Sequence, residues 1–337
     1  MLFYLLSLLT GVLECGWIAY GAVHSLPLWQ ILCYPLSYHV GNLFPKPFSL
    51  SRRSLIVMGS MAVITGGLTW SGFFSDFVVF LLTCATLFLL SAVIQSVRSG
   101  LKSDGNRLKK RIFRVGGFAL APVAAVIPSV TLLFCGGVAL YALRGHHCER
   151  RIYGMSLQNG YSAVMVFHQL HYFFYAHITL SAMSLALTGS LSGIGTEVAA
   201  LLFCLTWITY MSVEPIVGKL TDRVLPVFFA GHIGISLLLA VMSLVTNLPL
   251  FTVLWVITGF GGGVVYTISA CAKESGSYSK DSMTISENIG HTLGLLTAVI
   301  VAILCKDQSP RMMLLFGSAS AMAAVVCMLF TRRKECV

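Results

Sequence analysis

Glu14 is the one charged side chain in the apolar stretch 2–23. A carboxylate near the middle of a bilayer costs about 2.5–3.5 kcal/mol on insertion scales, so it must face a partner or a watered cavity. Ser7, Gly11, Glu14, Trp17 and Gly21 recur at helical spacing, which puts the acid and Trp17 on one stripe. Such an acid can take a proton on one side of a membrane and release it on the other. A static ion pair, or direct contact with a cationic substrate, uses the same chemistry. Gln95 and Arg98 close another apolar stretch, with Ser91 one turn earlier on the same face. Arg98 is a candidate counter-ion for Glu14 or for an anionic substrate; as a plain loop residue it is the first of a basic run.

Further along, 167–177 reads Phe-His-Gln-Leu-His-Tyr-Phe-Phe-Tyr-Ala-His. His168, His171 and Tyr175 share a helical face, with Tyr172 beside them. Two histidines at this spacing lack the further ligands that a metal site needs, so no metal is expected. They form either an aromatic and imidazole wall for an aromatic, cationic or metal-chelate ligand, or a helix interface. Glu287 and His291 stand four apart and make a second candidate proton-sensitive pair or a helix cap. Gly259, Gly261, Gly262 and Gly263 lack the Lys-Ser/Thr of a phosphate loop and suit close helix packing, with Tyr266 one turn on as a candidate substrate contact. Glu214 and the run Gly218-Lys-Leu-Thr-Asp222-Arg223 form a polar junction able to open and close as a gate, or a plain interhelical turn.

The elements that must position these groups are membrane spans. Hydrophobic residues make up 57% of the chain and charged residues 10%, where a soluble domain carries about 25% charged. Apolar stretches fall at 2–23, 28–44, 54–73, 77–98, 112–126, 128–144, 161–188, 195–217, 225–246, 249–272, 285–305 and 311–330. Most reach the roughly 20 residues that cross a bilayer as a helix; the second, fifth and sixth are short or carry Pro35, Pro122 and Pro128. With residue 1 inside, alternate loops hold 20 of the 22 Lys and Arg, leaving Lys306 and Arg311 outside. The positive-inside rule then places both termini in the cytoplasm. The net charge of +10 is thus topology and attraction to anionic lipid, with no nucleic acid expected as a partner. The 10 cysteines are scattered without CxxC spacing and make neither a disulfide nor a metal framework.

Internal duplication is also expected. Gly117 aligns with Gly290, and Gly41 with Gly218, each of the last two following an even-numbered span. The offsets are nearly equal, which divides the chain into bundles at 1–144 and 161–337 joined by a cytoplasmic linker at 145–160. Repeated halves are a common build of secondary transporters.

In these motifs the sequence resembles the major facilitator superfamily, which carries a G-x-L-x-D-R type loop and a G-x-x-x-G-P type fifth helix. Gly218, Leu220, Asp222 and Arg223 carry the first; Gly117, Ala121 and Pro122 carry the second, echoed by Gly290 and Gly294. The first-half loop departs from the pattern, with Pro45 where the acid belongs. The resemblance implies an all-α polytopic membrane protein of about 12 helices in two six-helix halves. It also implies alternating access and a cavity lined by spans one, four, seven and ten.

The expected function is secondary active transport, proton-coupled, exporting a drug-like compound or secreted metabolite across a bacterial inner membrane. Import or export of a metal chelate such as a siderophore is the alternative. The partners are a small-molecule substrate, protons or another coupling ion, and the bilayer, around a monomer. No cofactor and no catalytic residue are expected. A membrane transferase would have to use His146 and His147, which have only Glu149 as a nearby acid.

Overall fold

The computed structural model describes residues 1–24, 26–45, 50–69, 71–101, 107–144, 208–213, 217, 224–274, 280–304 and 309–335. Among them all regular structure is helical. Two compact units, Met1–Tyr153 and Gly154–Val337, divide the chain.

Unit 1 contains α1 (Leu2–Val23), α2 (Leu28–Leu43), α3 (Arg52–Leu68), α4 (Asp76–Gly100), α5 (Arg107–Ala119), α6 (Ala121–Val126) and α7 (Pro128–Arg144). The helix starts follow local chemistry. Ser51 accepts a bond from the Ser54 amide at 3.1 Å, and Asp76 puts negative charge on the first turn of α4. Pro122, which has no amide proton, sits at the start of α6, and the helix is interrupted at Leu120 within the expected span 112–126. Basic residues carry α5 back to Arg107, ahead of the expected start at 112.

The core of unit 1 gathers Leu6, Leu13, Trp17, Tyr34, Leu87 and Leu132 from four of these helices. On α3, Leu55, Gly59, Ala62 and Gly66 point inward while Ile56, Val57, Met61, Ile64 and Leu68 are exposed. Apolar side chains on the outer face suit contact with lipid.

Helix α1 runs parallel to the α5–α6 rod. Tyr4 meets Phe113 at a ring separation of 5.5 Å, Gly11 lies on Gly117, and Gly16 lies on Ala124. A Cβ on Gly11 would stand 2.7 Å from the Arg114 carbonyl oxygen, and one on Gly117 would strike the Leu8 carbonyl. Both glycines are therefore demanded by close backbone approach. Gly41 lies in the last turn of α2 and not after it, against the Phe88 carbonyl and the Ser91 hydroxyl of α4. Its role there is helix packing, and Gly218, with which the sequence aligns it, lies outside the described residues.

Unit 2 is described over α8 (Val224–Leu244), α9 (Leu248–Glu274), α10 (Lys280–Leu304) and α11 (Ser309–Glu335). Ser236 and Ser318 join α8 to α11 by giving each hydroxyl to the other's backbone carbonyl, at 2.9 and 2.8 Å. Three helical stretches among the described residues are long and apolar enough to cross a membrane: Leu2–Gly21, Asp76–Arg98 and Pro226–Leu244.

Candidate functional site

Three helices of unit 1 deliver polar groups to one stripe of a fourth, α1. Thr10 and Glu14 are four residues apart on that helix, so their side chains stack on one face. Arg114 of α5 donates from Nη2 to Glu14 Oε2 at 3.0 Å. His39 of α2 brings Nε2 to 3.9 Å from Oε1 of the same carboxylate. Arg98, near the end of α4, donates from Nη1 to Thr10 Oγ1 at 3.3 Å and from Nη2 to Gln95 Oε1 at 2.8 Å. Tyr38 of α2, next to His39 in sequence, is also buried.

Helix geometry explains the convergence. Arg114 sits one turn before Gly117, and the Gly11–Gly117 approach brings the α5 backbone close enough for its guanidinium to reach Glu14 one turn further along α1. The guanidinium also lies over the Phe118 ring, 5.7 Å from its centroid. Exposure is graded. The Glu14 side chain is 7% accessible and that of Arg114 24%; Gln95, Arg98 and Asn42 are half-buried.

Arg114 thus takes the role of direct counter-ion that the sequence offered to Arg98. Gln95 and Arg98 nevertheless join the same cluster through Thr10. Trp17 is 1% exposed and packs in the unit's core. His168, His171, Tyr172, Tyr175, Glu214, Gly218, Asp222 and Arg223 lie outside the described residues. Tyr266 falls on α9, and Glu287 and His291 on α10, but their side chains are outside the description.

Sequence reading missed Arg114, His39, Tyr38 and Thr10. A signal for His39 existed, because an imidazole inside an apolar span carries the same cost argument as Glu14. Arg114 was hidden by its place in a basic run that topology alone explains.

No family model matches the sequence, and no curated protein matches it either. Solved structures do match. The crystal structure of nucleoside transporter NupG aligns over 97% of this chain and 98% of its own, with TM-score 0.64 and 12% identity. That of a D-xylose-proton symporter aligns over 97% and 95%, with TM-score 0.66 and 14% identity. The chain therefore shares the all-helical fold of these two transporter structures.

Proposed function

We propose that this protein is a proton-coupled secondary transporter of a small organic solute, working by alternating access with Glu14 as the proton carrier. The observation behind this reading is the buried Glu14–Arg114 pair inside a transporter fold. One charge crossing 100 mV is worth about 2.3 kcal/mol, or roughly fifty-fold in solute concentration.

Uptake together with protons is the favoured sense, in line with the symporter among the structural neighbours. The siderophore reading leans on the histidine-rich stretch 167–177, outside the described residues, and the export reading on Glu14 beside a wide aromatic cavity. The proposal keeps an inner-membrane monomer with cytoplasmic termini, and halves at 1–144 and 161–337 that exchange access across the linker.

Metabolite profiling of cells and spent medium tests it, using a strain lacking the gene and complemented with wild type or Glu14→Gln. A compound that stays in the medium without the wild-type protein supports uptake. One that accumulates inside the cell reverses the direction. A compound altered chemically would point to an enzyme, and identical profiles across growth conditions would overturn transport altogether.

A further inference from the structure

The outer face shared by α3 and α7 is apolar along its length and basic at one end. Arg52, at the start of α3, donates to the carbonyls of Leu143 and Arg144 at the end of α7, so the helices run antiparallel. Deeper in, a Cβ on Gly59 would stand 2.7 Å from Leu140, and one on Gly136 would stand 2.6 Å from Val63. These glycines hold the helices close, and their register sets Val57 and Ile64 about level with Tyr141 and Phe134. Each helix carries an exposed stripe at helical spacing on its outer side. On α3 it runs through Arg53, Val57, Ile64 and Leu68; on α7 it runs through Phe134, Gly137, Tyr141 and Arg144. Both stripes end in a guanidinium, at the end of the bundle that the charge pattern assigns to the cytoplasm.

Depth and shape fit one leaflet. From Phe134 to Arg144 the stripe rises about 15 Å, half of the roughly 30 Å hydrocarbon core. Between Phe134, 58% exposed, and Tyr141, 68% exposed, Gly137 leaves a notch where a Cβ would meet nothing within 4 Å.

We propose that this face is a site for one anionic diacyl phospholipid of the cytoplasmic leaflet. Its phosphate lies between Arg53 and Arg144, and an acyl chain lies in the notch at Gly137. Charge complementarity selects the occupant. A guanidinium fork matches two phosphate oxygens, whereas a zwitterionic headgroup would bring its own cation to the same two arginines. Basic clusters between spans on the cytoplasmic side hold such anionic headgroups. Two-fold symmetric copies of the chain joined through this face would instead bring like charges together at one level. Arg52, engaged with the α7 carbonyls, keeps the two helix ends together and is not counted as a lipid contact. Exposed ion pairs are weak and exchange readily, so an acid such as Glu149, outside the described residues, would not close the site. The inference goes beyond transport, because a chain that moved nothing could still hold this lipid.

The test uses the purified full chain in neutral detergent micelles, with phosphatidylglycerol or phosphatidylcholine of the same acyl chains added in steps. Native mass spectrometry counts the lipid retained, and the thermal midpoint is followed alongside. Phosphatidylglycerol should be retained and should raise the midpoint; phosphatidylcholine should do neither. Arg53→Gln with Arg144→Gln should weaken retention by about fivefold for each arginine removed, and the corresponding Lys pair should keep most of it. Gly137→Leu should fill the notch and lower retention with both arginines in place. Gly234→Leu, at an equally open glycine of α8, should not. Should the Gln pair fail to fold, the lipid preference of the wild type and the two leucine variants still decide the matter.

Equal retention of the two lipids overturns the inference. So does full preference in the Gln pair, which would place the anion on another basic loop. Glycerol 3-phosphate raising the midpoint as far as the lipid would assign the arginines to a soluble anion. A wild-type dimer that Gly137→Leu splits would give the face to a second copy of the chain. Either result also overturns the lipid site. Its failure leaves transport standing, and failure of transport in proteoliposomes leaves the lipid count standing.

Discussion

Gly11 of α1 and Gly117 of α5 lie backbone against backbone, and that contact fixes the level at which Arg114 meets Glu14. The glycine of the fifth-helix motif is thus tied to the buried ion pair by a single turn of helix.

Gly117→Leu should separate α1 from α5, because even a Cβ there collides with the Leu8 carbonyl. Overpacking at such a site costs about 1–3 kcal/mol. A lowered thermal midpoint is expected, with Gly116→Leu as the milder control, since a Cβ at Gly116 meets only the Leu8 side chain at 3.9 Å. Equal stability of the two variants would deny Gly117 this role.

The Glu14–Arg114 pair should behave as a coupled unit. Removing one partner of a buried ion pair costs about 3–5 kcal/mol, whereas replacing both can be close to neutral. Arg114→Met should therefore be markedly less stable than wild type, and adding Glu14→Gln to it should restore much of the loss. A double-mutant cycle on thermal unfolding measures this, and simple additivity would contradict it.

Thr65 of α3 and Thr86 of α4 share a hydroxyl hydrogen bond at 2.7 Å. Interhelical bonds of this kind average about 0.6 kcal/mol in membranes. Thr86→Val should cost about that much, and Thr65→Val should add little once Thr86 is gone.

Arg52, the first residue of α3, donates to the carbonyls of Leu143 and Arg144, at 3.2 and 3.0 Å. These are terminal acceptors of α7 that its own helix cannot satisfy. Arg52→Gln should loosen that end, and hydrogen exchange over 140–144 should quicken by about tenfold. Unchanged protection there would show that water serves those carbonyls as well.

Much of the fold could be read from the chain, because lipid leaves a helix few alternatives. The stretch 77–98 is α4 at Asp76–Gly100, and 249–272 is α9 at Leu248–Glu274. Hydropathy was less informative at the break near Pro122, where a short helix begins within an apolar run. For the site, Glu14 stood out by its cost, and Arg98 by its place at the end of an apolar span. Arg114 did not, since hydropathy ranks residues along the chain, and its meeting with Glu14 depends on how α5 lies across α1. Trp17 shares the Glu14 stripe but turns into the core, because one helical face can meet several different neighbours.

The partners of the Glu14–Arg114 bond are 100 residues apart in the chain. At about 5–20 residues per second of synthesis, the acid leaves the ribosome roughly 5–20 s before its cation exists. During that interval α1 holds a carboxyl that has no Arg114 to meet. The newborn helix must wait beside the insertion machinery, or enter the bilayer with the acid protonated. A neutral carboxyl enters lipid at lower cost than a carboxylate, which would ease the passage of the first helix.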